Sequence, residues 1–289
     1  METLFLTYAS PGSPSDARLM IDSLRTFGGE LAEVDFWVFV TDLDSARGLE
    51  GERTRPQPLT IPDLVSAYPL GKKVAACARA EELAPAGTRS LVWVDAAYLF
   101  CQPPTLFALG TDCEAAFRPV HIRNVGLPPS EPLDAFWGGI YAALGVDDTP
   151  ATVTSFVDGQ LLRAYFNSHA FAVNPALGLM TRWYAVFQEL VGDARFQITA
   201  CADDAHQVFL FQAILSALVA TSIEPCRLCL LPPTYNYPYN LHERVPVENR
   251  PAALNDVVSF TYDERDIHPE AVTDIRIHEP LRSWIQNWK

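Results

Sequence analysis

The chain has too few basic residues, too widely scattered, to hold a polyanion across a broad surface. Lys and Arg number 21 against 35 Asp and Glu in 289 residues, a formal charge of −14, and no run of five or six consecutive Lys and Arg occurs. Such a field repels nucleic acid and anionic membrane. A phosphate-bearing substrate must therefore be held locally, by a few arginines, backbone amides or a metal. No G-x-G-x-x-G follows the first apolar run, which removes the main support for a dinucleotide fold. Six cysteines are too dilute for a disulfide scaffold. Cys77, Cys101, Cys113 and Cys201 sit among small or apolar neighbours, as reduced thiols of a cytosolic protein do. The pair Cys226 and Cys229 lacks the further ligands of a structural zinc and the helix-opening context of a redox motif. The most apolar long segment, 208–220, is short for a bilayer and contains Gln212. The start, METLFLTY, reads as a strand and lacks the basic opening of a signal peptide. A cytoplasmic protein with no membrane span is expected.

What is present is an alternation of strands and helices in a chain that is 49% hydrophobic, enough for a large core. Leu4–Tyr8 is strand-like, and Ser13, Pro14 and Asp16 then give an N-cap, a first helical position and an acidic first turn. Ala17, Met20, Ile21, Leu24 and Phe27 repeat at helical spacing until Gly28 and Gly29. A second strand, Val34–Val40, precedes a polar loop over 42–63, and a helix over about 70–84 leads to the strand that ends at Asp95. This order predicts a parallel, doubly wound sheet. Glu114–Arg118 is a further strand, followed by a loop-rich region over 119–160 with a short helix around 135–144. Asn167-Ser168-His169 forms a polar turn before another short strand. Leu177, Met180, Trp183, Tyr184, Phe187 and Leu190 line one helical face, and 206–220 is apolar nearly all round, as in a buried helix. Trp284 and Trp288 dock a terminal helix on the core.

The run LVWVDAAYLF at 91–100 concentrates the chemistry, because an apolar strand stops at a single carboxylate, Asp95. Ligands of open α/β sheets bind just beyond such strand ends, while a strand-end Asp that caps the next turn is the plainer alternative.

The order TYAS, LRTFGG, WVFV, LVWVDAAYLF, YFNSHAFAVNP, HQVFLFQAILSAL, LPPTYNYPYN resembles the nucleotide-diphospho-sugar transferases, GT-A-type glycosyltransferases, in particular bacterial relatives of the glycogenin and galactosyltransferase group. The resemblance covers 3 to about 245. It implies one α/β domain over 1–289: a mostly parallel, Rossmann-like sheet flanked by helices, with the loop-rich insertion covering its C-terminal edge. A nucleotide-binding half would span 1–118, an acceptor-side half 119–250 and a tail 251–289. The implied activity is transfer of a sugar from a nucleotide-diphosphate sugar, with a UDP-sugar as first expectation, to a carbohydrate or small-molecule acceptor. A non-catalytic sugar-nucleotide or glycan-binding protein of the same fold is the alternative.

Residue by residue, the resemblance assigns donor contacts to Thr7, Tyr8, Ala9, Asp95 and position 97; for a metal-independent transfer, Lys72, Lys73, Arg79, Arg118 and Arg123 are the available cations for the diphosphate. It maps acceptor contacts to Asn167, Ser168 and His169, and catalytic help to Asp203, Asp204 and Gln207, with Phe211-Gln212 as a second register. Tyr8 stacks on a base or rims the core; Asp203 and Asp204 supply a base or simply cap a helix. No organic cofactor is implied. A Mn or Mg ion between two carboxylates is the family device, but Ala97 replaces the second, leaving Asp95, and distantly His278, as ligands and predicting weak or absent metal dependence. Three outcomes follow from these assignments. Tyr8, Asp95 and Asn167 should line one cleft; Ala97→Asp should tighten manganese; and Asp95→Ala should weaken donor binding with the fold intact.

Overall fold

The computed structural model describes residues 2–10 and 14–288. In chain order the first half holds β1 (Glu2–Tyr8), α1 (Pro14–Phe27), β2 (Asp35–Val40), β3 (Thr54–Pro58), α2 (Asp63–Ala67), α3 (Gly71–Leu83), β4 (Thr88–Val94), β5 (Tyr98–Phe100), β6 (Ala115–Pro119) and α4 (Ala135–Leu144). The second half holds β7 (Thr152–Thr154), β8 (Leu161–Arg163), β9 (Phe166–Val173), α5 (Leu179–Gly192), α6 (Ala194–Ala200), α7 (Asp204–Ser222), β10 (Leu228–Leu230), β11 (Tyr237–Pro238), β12 (Ser259–Thr261) and α8 (Leu281–Asn287). Pro14 does open α1, whereas the expected cap Ser13 lies outside the described residues.

Seven strands form one sheet in the order β10-β6-β9-β4-β1-β2-β3. Every pairing is parallel except the two made by β9, which runs against β4 and β6. Side chains alternate across it with period two. Leu4, Leu6, Trp37, Phe39, Leu91 and Trp93 pack under α3, α5 and α7; Phe5, Phe36, Val38, Val92 and Val94 pack under α1 through Ala17, Met20, Ile21 and Leu24. Burial on both faces is why β1 and β4 read as unbroken apolar runs. α7, 19 residues long and apolar enough by length and composition to cross a membrane, is here a core helix, with Leu210–Val219 buried. A three-stranded sheet, β11-β12-β5, carries a third cluster built from the C-terminal segment. Trp284 packs edge-on to Phe27 at 5.4 Å, and Trp288 Nε1 donates to Asp22 at 2.9 Å, so α8 docks as expected.

Three sequence expectations need correction. The polar loop expected over 42–63 contains β3, which pairs along β2 at the sheet's edge. Pro56 and Pro58 hid it, since proline lacks the N–H of a central strand yet is tolerated at an edge. The polar turn expected at Asn167-Ser168-His169 lies within β9, which pairs with β6 and β4, whereas the helix expected over about 70–84 is α3, with the short helix α2 before it. Finally, the cysteines are not all free thiols. The β10–β6 register, Leu228 opposite Ala115, brings Cys229 to Cys113 with Cα atoms 6.0 Å apart, and the two form a disulfide. Cys226, its sequence neighbour, is free and exposed.

Beside that disulfide, Glu114 accepts hydrogen bonds from Arg89 Nη1 at 2.8 Å, Asn174 Nδ2 at 2.5 Å and Arg227 Nη2. Burial pushes its carboxyl up, but these donors outweigh burial and hold it at about 2, against an ordinary 4.5. A depressed carboxyl contributes stability above its unfolded pKa and loses it as pH falls through the folded one. Stability should therefore decline between about pH 5 and pH 2, and Glu114→Gln should cost about 2 kcal/mol at pH 7 but almost nothing at pH 2. Urea melts at both pH values check this; a cost independent of pH would mean that packing, not the carboxylate charge, is what the substitution removes.

Candidate functional site

Topology brings several chain segments to one edge. β1, β2, β4, β6 and β10 are all parallel and leave the sheet there, and antiparallel β9 enters from it. Tyr8 ends β1, Asp95 follows β4, and Asn167 is the second residue of β9. Asp95 N donates to His169 O at 2.8 Å, which ties the last two ends together. At this edge lies a cavity of about 360 Å³ whose wall includes Tyr8, Ser66, Tyr68, Lys72, Trp93 and Asp95. That is within the range of small-ligand sites and sits where an open α/β sheet places them.

The lysines come from the first turn of α3, whose placement depends on Gly71. A Cβ there would meet Val65 O at 2.0 Å, so only glycine lets α3 start this close to α2. Lys72 Nζ lies 5.9 Å from the centroid of the Tyr8 ring, and Lys72 forms no ion pair among the described residues. The next residue turns inward. Lys73, 3% exposed, donates from Nζ to Asp95 Oδ1 at 2.8 Å, Asp95 Oδ2 at 3.0 Å and Ser168 O at 2.7 Å. Its ammonium also lies 5.1 Å from the Trp93 ring and 5.2 Å from the Phe211 ring. Trp93 Nε1 donates to Asp95 Oδ1 at 2.7 Å. Asp95, 26% exposed on its side chain, thus shows the cavity only the remainder of a carboxylate already held by two donors.

Tyr8 and Asp95 therefore share a cleft, while Asn167 lies buried behind it. Asn167 Oδ1 accepts from His169 N at 2.9 Å and Asn236 Nδ2 at 3.1 Å. Ser168 Oγ donates to Gln212 Oε1 at 2.8 Å, so a glutamine about two turns into α7 reaches this network. His169 stands beside Asp263, Nε2 to Oδ1 3.5 Å, and stacks on His121 at 5.9 Å. Burial, with Arg118 and His169 nearby, pulls the His121 imidazole well below its usual pKa.

The other candidates lie elsewhere. Thr7 and Ala9 are fully buried strand-end residues, Ala9 N bonding to Phe39 O. Ala97 packs against the C-terminal cluster and accepts from Tyr262 N at 3.2 Å, so its side chain faces away from the cavity that Asp95 lines. An aspartate at 97 would meet that cluster and not the cavity beside Asp95. Arg79 is on an outer turn of α3, paired with Glu82 at 2.8 Å. Arg118 is buried, with Nη1 donating to Pro233 O and Asn236 O and its face 4.4 Å from Phe156. Arg123 bonds Gly126 O. Asp203 caps α7, accepting from His206 N at 3.0 Å; Asp204 is exposed in the first turn; Gln207 Nε2 donates to Cys201 O. None of these three lines the cavity beside Asp95. His278 is exposed on the C-terminal segment, its backbone paired with Asn255, in a separate hollow with Arg276 and Arg282.

Sequence reading named Lys73 among several cations without picking it out. A signal existed: Lys73, Cys77 and Ala80 follow helical spacing on the buried face of α3, and a lysine on such a face needs a carboxylate.

No family model and no curated protein matches the chain. Among solved structures, it is similar to a galactosyltransferase, LgtC, in complex with donor and acceptor sugar analogues, with TM-score 0.53 and 14% identity over 90% of this chain and 87% of that one. It is also similar to the bifunctional glycosyltransferase WbbM, with TM-score 0.54 and 10% identity over 92% of this chain and 46% of that one. On these likenesses and its own topology, the chain has the GT-A-type α/β fold.

Proposed function

We propose that the protein transfers a sugar from a nucleotide-diphosphate sugar, a UDP-sugar in the first instance, to a carbohydrate or small-molecule acceptor. One observation carries the reading: the cavity between Tyr8 and Asp95 opens at the strand-end edge of a GT-A-type sheet. Tyr8 offers an aromatic face for a base, and Lys72 beside it offers an unpaired ammonium for a diphosphate. LgtC was solved with donor and acceptor sugar analogues, and that precedent supports the substrate class.

A second reading, a sugar-nucleotide binder without transferase activity, has its own support. Asp95 is the only carboxylate on the cavity wall among the described residues, and Lys73 and Trp93 hold it, which leaves no free carboxylate base there. Calorimetric titration with UDP and a panel of UDP-sugars, followed by product analysis with mixed acceptors, tests both. Binding with turnover supports transfer, binding without turnover supports the second reading, and absence of binding by every nucleotide tried rejects both. Lys72→Gln is expected to weaken UDP binding about tenfold, one lost charged contact.

A further inference from the structure

We infer that Lys73 occupies the place a divalent cation would take beside Asp95, so that a nucleoside diphosphate binds this cavity without a metal. The inference rests on the proposed ligand class but begins from the geometry of the free protein. A divalent ion needs about six oxygen ligands and an available carboxylate. Here both oxygens of Asp95 are within 2.8 and 3.0 Å of one ammonium, and Oδ1 also accepts from Trp93. The Lys73 ammonium is in hydrogen-bond contact with three oxygens, both of Asp95 and the carbonyl of Ser168. The Trp93 and Phe211 rings flank the ammonium at 5.1 and 5.2 Å and favour its positive charge where it stands. Any ion that reached Asp95 would sit against this fixed positive charge.

No second ligand compensates. Among the described residues no group of three His, Cys, Asp or Glu side chains is arranged to hold a metal, and Ala97 packs toward the C-terminal cluster. The residues present therefore do not fit the ion that the resemblance implies.

The pairing also sets the charge of the cleft. Lys73 and Asp95 cancel, so the net positive charge offered to a diphosphate is that of Lys72. In this arrangement Lys73 is a positioning residue: it lines the cavity wall, and its ammonium is spent on fixing Asp95 and, through Ser168 O, the start of β9.

Electron paramagnetic resonance of Mn²⁺ titrated with the ligand-free protein, and calorimetry of UDP in EDTA and in Mn²⁺, test this directly. Wild type should leave the free-ion signal undiminished, and its UDP affinity should agree within about twofold in the two buffers. Lys73→Met, which exposes an uncompensated carboxylate of similar surroundings, should bind Mn²⁺ at least about tenfold more tightly than wild type. Stoichiometric Mn²⁺ binding by wild type, or UDP binding that vanishes in EDTA, overturns the inference. If UDP binds in neither buffer, the proposed function falls, whereas the Mn²⁺ titration of the free protein still decides what sits beside Asp95. Should Lys73→Met melt below the assay temperature, Lys73→Arg, which keeps the charge, must remain blind to Mn²⁺; manganese binding by it equal to that expected of the methionine variant would also count against Lys73 as the resident cation.

Discussion

Asp95→Ala should destabilise the protein by about 3 kcal/mol, because it strands a buried ammonium. Lys73 is 3% exposed, and two of its three hydrogen bonds end on Asp95. With the carboxylate removed, the charge faces only Ser168 O and two aromatic rings. This replaces the expectation, drawn from a solvated strand-end acid, that the fold would be indifferent to the change. A double-mutant cycle with Lys73→Met resolves the pair: the two losses should be strongly non-additive, the double variant recovering much of the stability. Additive losses would mean that Asp95 acts on its own turn and not through Lys73.

Arg118→Met should cost about 3 kcal/mol as well, through the loop at 233–236. The guanidinium donates to Pro233 O at 3.2 Å and Asn236 O at 2.7 Å, and also to Tyr235 O; methionine fills part of the volume but leaves those carbonyls without a donor. Phe156 loses its cation over the ring. Burial and these backbone acceptors mark Arg118 as the strut that seats the loop beside Asn167, a different role from the diphosphate cation that the sequence suggested. Chemical denaturation measures the loss. UDP affinity, measured where the variant is fully folded, should stay within about twofold of wild type; a drop of about tenfold or more would place Arg118 in contact with the ligand after all.

By itself the sequence determined most of the secondary structure and the edge where the cleft lies. The unbroken run Leu91–Val94 and the period of Met180, Trp183 and Phe187 are local signals, because a strand buried on both faces or a helix buried on one writes its pattern within a few residues. Asp95 was likewise legible, as an acid at the end of an apolar strand. β3 was missed because its prolines imitate a loop, and only pairing along β2 gives it a strand's hydrogen bonds.

What each polar side chain does was decided by tertiary structure. Asp95 meets Lys73 from 22 residues away, Arg118 meets the carbonyl of Asn236 from 118 away, and Cys113 meets Cys229 across 116. Asp203 faces its own helix and becomes a cap, while Gln212, more than two turns further along α7, faces Ser168. Charge and hydrogen-bonding capacity are written in the sequence, but a partner is fixed only when chain crossings bring distant groups within about 3 Å. A carboxylate that reads as a metal ligand in sequence thus becomes, once α3 packs across β4, the counterion of a buried lysine.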